Sequence, residues 1–333
     1  MIKVSIIIPV YNVAKHIERC LHSVLSQDYE GLLECIIVDD CTPDDSMQIA
    51  VKLLSEYTGH INTKICHHKQ NCGLSAARNT GVAEADGDYI FFLDSDDEIM
   101  PHAISVLVAL VAKYPNVDIV YGDWYLPRRF KGLHNDIRLP EYTDSRKKIA
   151  RYLLSGAVSM TGPNKLIRKQ YILDNHLTFK EGIIHEDNLF TYYLANTAHS
   201  IAISFTPIYV YYLNQVGITS TVTPKHILSK ITLANEILDY TKDILLGYKY
   251  YYCINLLNGA LGGTLEEYGL SSQIHYTYKI LQDRAFKDRF YLIALMAFIN
   301  NHFNSDFFQR ISGSLGYKIF KNIVLRRYRW RKK

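Results

Sequence analysis

Gly87-Asp88-Tyr89-Ile90-Phe91-Phe92-Leu93-Asp94-Ser95-Asp96-Asp97 is the stretch that decides the fold. The apolar run from Ile90 to Leu93, after Tyr89, has the length and composition of a strand buried on both faces. It stops at Asp94, Asp96 and Asp97, with only Ser95 between them. Acid at that density is costly unless a cation or solvent neutralises it. At the carboxyl end of a central parallel strand it lies where open α/β sheets bind ligands. Hard oxygen donors in that place suit Mg²⁺ or Mn²⁺ held against the phosphates of a nucleotide. Taken alone, Asp-x-Asp is more often a solvated acidic turn, here ahead of the helix that Pro101 opens. The flanking chain decides between the two.

Upstream, Val4-Ser5-Ile6-Ile7-Ile8-Pro9-Val10 reads as a buried strand whose Pro9 belongs near an end. Tyr11-Asn12 follows as a turn, with Asn12 a candidate cap for the next helix. That helix carries Ile17, Cys20, Leu21, Val24 and Leu25 on one stripe. Leu33–Val38 is a second strand ending on Asp39-Asp40, and a helix from about Met47 to Tyr57 and a short strand from Thr63 to His67 come next. Asn71-Cys72-Gly73-Leu74-Ser75 opens a helix bearing Arg78, and Val117–Asp123 is a strand beyond the acidic one. Strands alternating with helices at these intervals predict βαβ units and a mostly parallel sheet.

Composition bounds what such a sheet serves. The chain has 333 residues, 48% hydrophobic and 21% charged, enough for one large domain or two smaller ones. A net charge of +4 is too small to imply a nucleic-acid partner. The six cysteines form no Cys-x-x-Cys pair and read as reduced thiols, several in the core. The first residues look like a strand rather than a signal peptide, and Leu292–Ile299 is too short to span a bilayer, so a cytoplasmic location is expected. Neither a Gly-x-Gly-x-x-Gly nor a Gly-x-x-x-x-Gly-Lys-[Ser/Thr] follows the first strand, which excludes two familiar nucleotide loops. The candidates at the strand ends are Tyr11, Asp39-Asp40, Arg78 and the Asp94 cluster. An aromatic can stack on a base, a carboxylate can accept from base or ribose, and an arginine with a metal can balance a diphosphate. Singly, each serves equally well as packing, a cap or an ion pair.

Val4–Asn12, Ile36–Asp40, Gly73–Asn79 and Gly87–Asp97, in that order and spacing, resemble the successive signatures of the family 2 glycosyltransferases. The likeness covers roughly the first 125 residues and continues more weakly to about residue 220. It implies a GT-A fold, inverting transfer from a nucleotide-diphosphate sugar, most often UDP-linked, and a Mn or Mg ion. Onto this sequence it places Pro9, Tyr11, Asp39, Asp40, Arg78, Asp94 and Ser95 around the nucleotide-sugar. Tyr11 and Asp40 hold the nucleoside, Arg78 faces the diphosphate, and Asp94 and Asp96 serve ribose and metal. Cys41-Thr42-Pro43 stands where the family usually has Gly-Ser.

Gly162–Ile167 and Phe179–Phe190 resemble blocks of the bacterial cell-surface polysaccharide branch of that family. In-line attack by an acceptor hydroxyl needs a general base. The resemblance assigns that role to Asp187, beside Glu186, whose like charge raises its neighbour's proton affinity. Asn164, Lys165 and His185 fall on the acceptor side; His185 belongs to no His-Glu-x-x-His zinc site, because position 189 is Leu. The physical alternative is that Glu186 and Asp187 simply favour the positive end of the helix running to Asn196. Ala202–Leu213 reads as two short strands broken at Pro207. In the loop after it, Leu213-Asn214 replaces the family's Arg-Gln, leaving Lys225, another cation or the metal to carry the leaving-group charge.

The expected organisation is therefore a GT-A domain over 1–222, with a nucleotide-sugar half (1–125) and an acceptor half (126–222). A helical region over 223–333 follows, rich in the chain's 26 tyrosines, most of them packing. The expected partners are a nucleotide-sugar and a glycan or lipid-linked glycan. The rivals are a non-catalytic nucleotide-sugar or glycan-binding partner in an assembly complex, and a sugar-phosphate nucleotidyltransferase, whose glycine-rich loop Pro9-Val10-Tyr11-Asn12 does not resemble. In the C-terminal stretch, Ile319, Phe320, Ile323 and Val324 alternate with Lys318, Lys321 and the cluster Arg326–Lys333. That is the pattern of an interfacial helix drawn to anionic lipid on the cytoplasmic face of the inner membrane, or else a solvated basic tail. If it binds membrane, a chain ending at Ser314 will lose co-sedimentation with anionic vesicles that the full chain shows; equal pelleting by both removes the idea.

Overall fold

A computed structural model describes residues 1–125, 139–212, 223–258 and 269–289. The expected loop at 214–220, the segment Phe290–Ile299 and the basic tail lie outside the described residues. The chain divides into two compact units, Met1–Val222 with Lys242–Leu245, and Thr223–Thr241 with Leu246–Lys333.

The first unit is built on β1 (Lys3–Val10). After it come α1 (Ile17–Leu25), β2 (Leu32–Asp39), α2 (Ser46–Glu56), β3 (Asn62–His67), α3 (Leu74–Glu84) and β4 (Tyr89–Phe92). β1 lies between β2 and β4, parallel to both, and β3 extends the sheet in parallel beyond β2. These are the βαβ units that the sequence spacing predicts. The chain continues through β5 (Glu98–Ile99), α4 (Ala103–Lys113), β6 (Ile119–Tyr125), β7 (Tyr142–Thr143) and α5 (Arg146–Leu154). It ends in β8 (Lys165–Arg168), α6 (Lys169–Asp174), α7 (Glu186–Thr197) and β9 (Ile201–Val210). The sheet order is β3-β2-β1-β4-β8-β6-β9-β5, with β7 on β9. β8 runs antiparallel between β4 and β6, which restores β6 and β9 to the direction of β1. The sheet is thus mostly parallel, with β5, β7 and β8 reversed.

Alternation along β1 sends Val4, Ile6, Ile8 and Val10 to one face, where they pack in one cluster with Cys20, Leu21 and Val24 of α1 and Leu107 and Val111 of α4. Ile7 points the other way, beneath Gly81 of α3, where an added Cβ would stand 2.2 Å from the Ile7 Cγ2. On that same side Phe92 meets Phe179 edge-on at 5.1 Å and Phe190 of α7 at 6.5 Å. Each such fully buried side chain contributes about 1.5–3 kcal/mol. Cys20, Cys35 and Cys253 are buried, and no cysteine is in a disulfide.

Two local readings are corrected. β9 is one strand rather than two, because Pro207 sits where the β6–β9 register shifts between Tyr121 and Asp123, a bulge that needs no amide donor. Asn12 does not cap α1; it takes a left-handed φ of 55° and gives its amide to Thr42 Oγ1 at 2.8 Å, while α1 starts after His16.

The second unit packs α8 (Pro224–Asp239), α9 (Leu246–Asn258) and α10 (Ser271–Lys287) against one another. Tyr248, Tyr250, Tyr252 and Tyr278 are buried there, and Arg284 reaches Asp239 at 2.7 Å. No described helix is long and apolar enough to cross a membrane.

A buried polar post fixes the entry to β4. Glu34, 2% exposed, accepts from Ser5 Oγ and from the Asp86 amide at 2.7 Å, and the Gly87 amide donates to Ser5 Oγ at 2.8 Å. A Cβ on Gly87 would lie 2.7 Å from the Ser5 backbone nitrogen. Gly87→Ala should therefore cost about 1–3 kcal/mol, read as a lower urea midpoint at unchanged far-UV dichroism in buffer.

Candidate active site

Because β1, β2 and β4 are adjacent and parallel, Tyr11, Asp39-Asp40 and Asp94 leave the sheet on one edge. The Asp40 amide bonds to Val10 O at 3.0 Å and the Leu93 amide to Ile7 O at 3.0 Å, so the strand pairing carries on to the site residues themselves. β8, running the other way, starts at that same edge and brings Thr161–Lys165 beside Asp94. Pro9 is buried in the β1 ladder opposite Val38.

Tyr11 is 46% exposed, which suits a stacking surface better than packing. Asp39 accepts from the Thr42 amide and from His67 Nδ1, both at 2.9 Å. Asp40 is 2% exposed and fully engaged: it accepts from the Cys72 and Gly73 amides at 2.8 Å each and pairs with His68 Nδ1 at 2.7 Å. Its carboxylate thus fastens the loop before α3 and is not open to a nucleoside. Among the described residues, Asp40, His68 and Cys72 bring possible metal donors within 4.8 Å of one another. With both Asp40 oxygens committed to amides, this trio is a loop anchor. Cys41, at the departure from the family turn, takes a left-handed φ of 57°.

The acidic turn is held from three sides. Asp97, 1% exposed, accepts from Tyr209 Oη at 2.7 Å and from the Tyr212 amide at 2.8 Å. Arg19 donates to Asp96 O at 2.5 Å, pairs with Glu98 at 2.7 Å and lies over the Tyr212 ring at 3.7 Å. Ser95 is 7% exposed. Burial, then the charge of Asp94 and more weakly that of Asp96, pushes the Asp97 carboxyl up to about 8. Three carboxylates within four residues, of which Arg78 meets only Asp94, leave negative charge at this turn for a cation to balance. The partly exposed carboxylates Asp94 and Asp96 are hard oxygen donors, so the turn fits a Mg²⁺ or Mn²⁺ ion.

Arg78 is 2% exposed, and its two terminal nitrogens are both taken, one by Asp94 Oδ1 at 2.7 Å and the other by Glu186 Oε1 at 2.6 Å. Its guanidinium also lies 5.1 Å from the centre of the Phe179 ring. Burial opposes its charge, but Asp94, Glu186 and Asp187 outweigh that and hold it above its ordinary value. Gly162 fits against it so closely that a Cβ there would stand 3.1 Å from the guanidinium carbon. The arginine expected to face a diphosphate is held between two carboxylates, with its Nε buried and without a hydrogen-bond partner.

Asp187, partly exposed, is the second residue of α7, which opens with Glu186 directly after His185, whose φ of 65° is left-handed. Burial, then Glu186, raises its carboxyl to about 6, with Arg78 pulling the other way. Two residues expected to touch an acceptor turn inward instead. Lys165, 1% exposed, donates to the carbonyls of Thr161, Gly162 (3.1 Å) and Pro163 (3.0 Å) and so spends all its hydrogens on its own loop. Burial lowers its ammonium to about 7, with Asp187 opposing. Asn164 is 2% exposed at a φ of 72°, and its amide atoms have no hydrogen-bond partner. Sequence reasoning missed Tyr209 and Arg19, which brace the acidic turn. Neither lies in a motif, and only a fold that places β9 beside β5 brings Tyr209 there.

The sequence profile of glycosyl transferase family 2 matches residues 5–174. The glycosyltransferase GlyA of Streptococcus pneumoniae is 36% identical over 131 residues, 39% of this chain and 18% of that protein. The poly(ribitol-phosphate) beta-N-acetylglucosaminyltransferase TarS of Staphylococcus aureus is 29% identical over 221 residues, 65% of this chain and 36% of TarS. The chain thus spans between about a fifth and about a third of the length of these relatives. The crystal structure of TarS 1–349 with UDP-GlcNAc superposes with a TM-score of 0.65 at 22% identity, covering 85% of this chain and 82% of that one. At that identity the likeness is one of fold, the GT-A arrangement.

Asp40→Ala should leave the part-buried amides of Cys72 and Gly73 without their acceptor and cost about 1–3 kcal/mol. Asp40→Asn, which keeps one acceptor oxygen, should cost less; thermal unfolding of the two variants checks the order.

Proposed function

The chain belongs to glycosyl transferase family 2, and from that premise we propose that it moves one sugar, with inversion, from a UDP-sugar to a hydroxyl of a lipid-linked or growing bacterial surface polysaccharide. The observation that carries this reading is the single bridge Asp94–Arg78–Glu186, which puts Asp187 and the acidic turn at one edge of one sheet. The UDP-GlcNAc and UDP complexes of TarS support a uridine nucleotide as donor.

Tyr11 offers its half-exposed ring to the base, and Asp39, whose two oxygens each already take one hydrogen bond, offers their remaining lone pairs. Asp94 and Asp96 would hold the divalent ion, Asp94 through the oxygen not engaged by Arg78. When bound, that ion supplies positive charge to the departing diphosphate. Asp187 takes the proton of the acceptor hydroxyl as its oxygen attacks the anomeric carbon from the face opposite the leaving group. Its raised proton affinity suits a base working near neutrality, since proton transfer is most efficient when the base's value is close to the ambient pH. Phe179 and Phe190 stack with centres 4.1 Å apart, and Phe179 also lies against the Arg78 guanidinium.

Thermal-shift screening of UDP-sugars with and without Mn²⁺ identifies the donor. With it, Asp187→Asn should lower turnover by about 10²- to 10⁴-fold at nearly unchanged donor affinity. Because Asp187 must be ionised, wild-type turnover should fall as pH drops through about 6. Loss of donor binding in the Asn variant, or a flat acid limb, would remove Asp187 from the base role.

A further inference from the structure

The arginine expected to face a diphosphate is instead locked. Nη2 and Nη1 of Arg78 engage Asp94 and Glu186, Phe179 covers one face, and Gly162 closes another side. A buried arginine held by two carboxylates at 2.6–2.7 Å is fixed in position, since any displacement gives up a charge-assisted hydrogen bond at one end or the other. Glu186 is the residue immediately before Asp187, so the same guanidinium sets the first turn of α7.

We infer that Arg78 is a positioning residue for Asp187: clamped between Asp94 and Glu186, it orients the start of α7 and supplies the positive charge that offsets the carboxylates crowding the base. The inference rests on Asp187 being the base and deepens that reading. The charged groups around Asp187 are Glu186 on its own helix, Arg78 from α3, Asp94 at the end of β4 and Lys165 from β8, with the His185 imidazole adjoining. Of these, Arg78 and Glu186 act on Asp187 in opposite senses while bonded to each other. A diphosphate ligand would need a guanidinium facing outward. A positioning residue needs one facing inward, and Arg78 is almost wholly enclosed.

The pair therefore predicts shifts of opposite sign. The Asp187 carboxyl is followed by ¹³C NMR in the full chain labelled with ¹³C-aspartate, its resonance assigned by its loss in Asp187→Asn. Arg78→Gln should raise the titration midpoint by about one pH unit or more, and Arg78→Lys, which keeps the charge but cannot span both carboxylates, by less. Glu186→Gln, the variant with the smaller structural burden, should lower it. The acid limb of turnover should follow the NMR midpoints. Midpoints that stay at the wild-type value, together with UDP binding weakened tenfold or more in Arg78→Lys, would return Arg78 to the diphosphate and overturn the inference. Wild-type turnover in Asp187→Asn would instead discard the base reading, and the NMR midpoints would still decide whether Arg78 sets the charge at this carboxylate.

Discussion

A guanidinium cut off from water must be met by carboxylates, and the first unit is arranged around one such meeting. Arg78 comes from a helix on one βαβ unit, Asp94 from the end of the central strand next door, and Glu186 from a helix more than ninety residues further on. Removing one partner of a buried, hydrogen-bonded charge pair typically costs about 3–5 kcal/mol. That penalty makes the bridge a strict constraint on how the two halves of the unit meet, whatever its net contribution to stability.

The bridge also sets the charge balance at the sheet edge. One arginine faces Asp94, Glu186 and Asp187, and the acidic turn adds Asp96 and Asp97. Burial first, and the surrounding negative charge after it, displace two carboxyls upward, Asp97 to about 8 and Asp187 to about 6. Asp97 is closed off by Tyr209 and the Tyr212 amide, whereas Asp187 is partly open. The Arg78 charge acts on Asp187 and not on Asp97, and holds the Asp187 carboxyl the lower of the two.

The parallel half of the sheet was legible because each of its strands is an uninterrupted apolar run bounded by turn residues, and a chain of βαβ units admits few arrangements. The acidic turn was legible for the same reason: it ends the most apolar of those runs. β8 was less so, since Lys165-Leu166-Ile167-Arg168 is too short for a period and begins with a charge. Lys165 can be buried only because three carbonyls of its own loop surround it, a geometry with no signature in residue order. Asp40 shows the converse. An acid at a strand end looks available from its position, but here two amides and an imidazole have already filled it. Pro207 looked like a break because a bulge, which depends on the partner strand, cannot be read from one strand alone.

The reversed course of β8 has a further consequence. Tyr11, Asp39 and Asp94 are reached by chain leaving the sheet, whereas Thr161–Asn164 is chain arriving at it. The two kinds of segment share an edge but hang from opposite strand termini. Within the connection between α5 and β8, residues 161–163 are tied to Lys165 and Arg78, so variation falls to residues 155–159, which pair with none of β1, β2 and β4. A scaffold of this form lets one side of a cleft diversify through evolution while the facing side keeps its geometry.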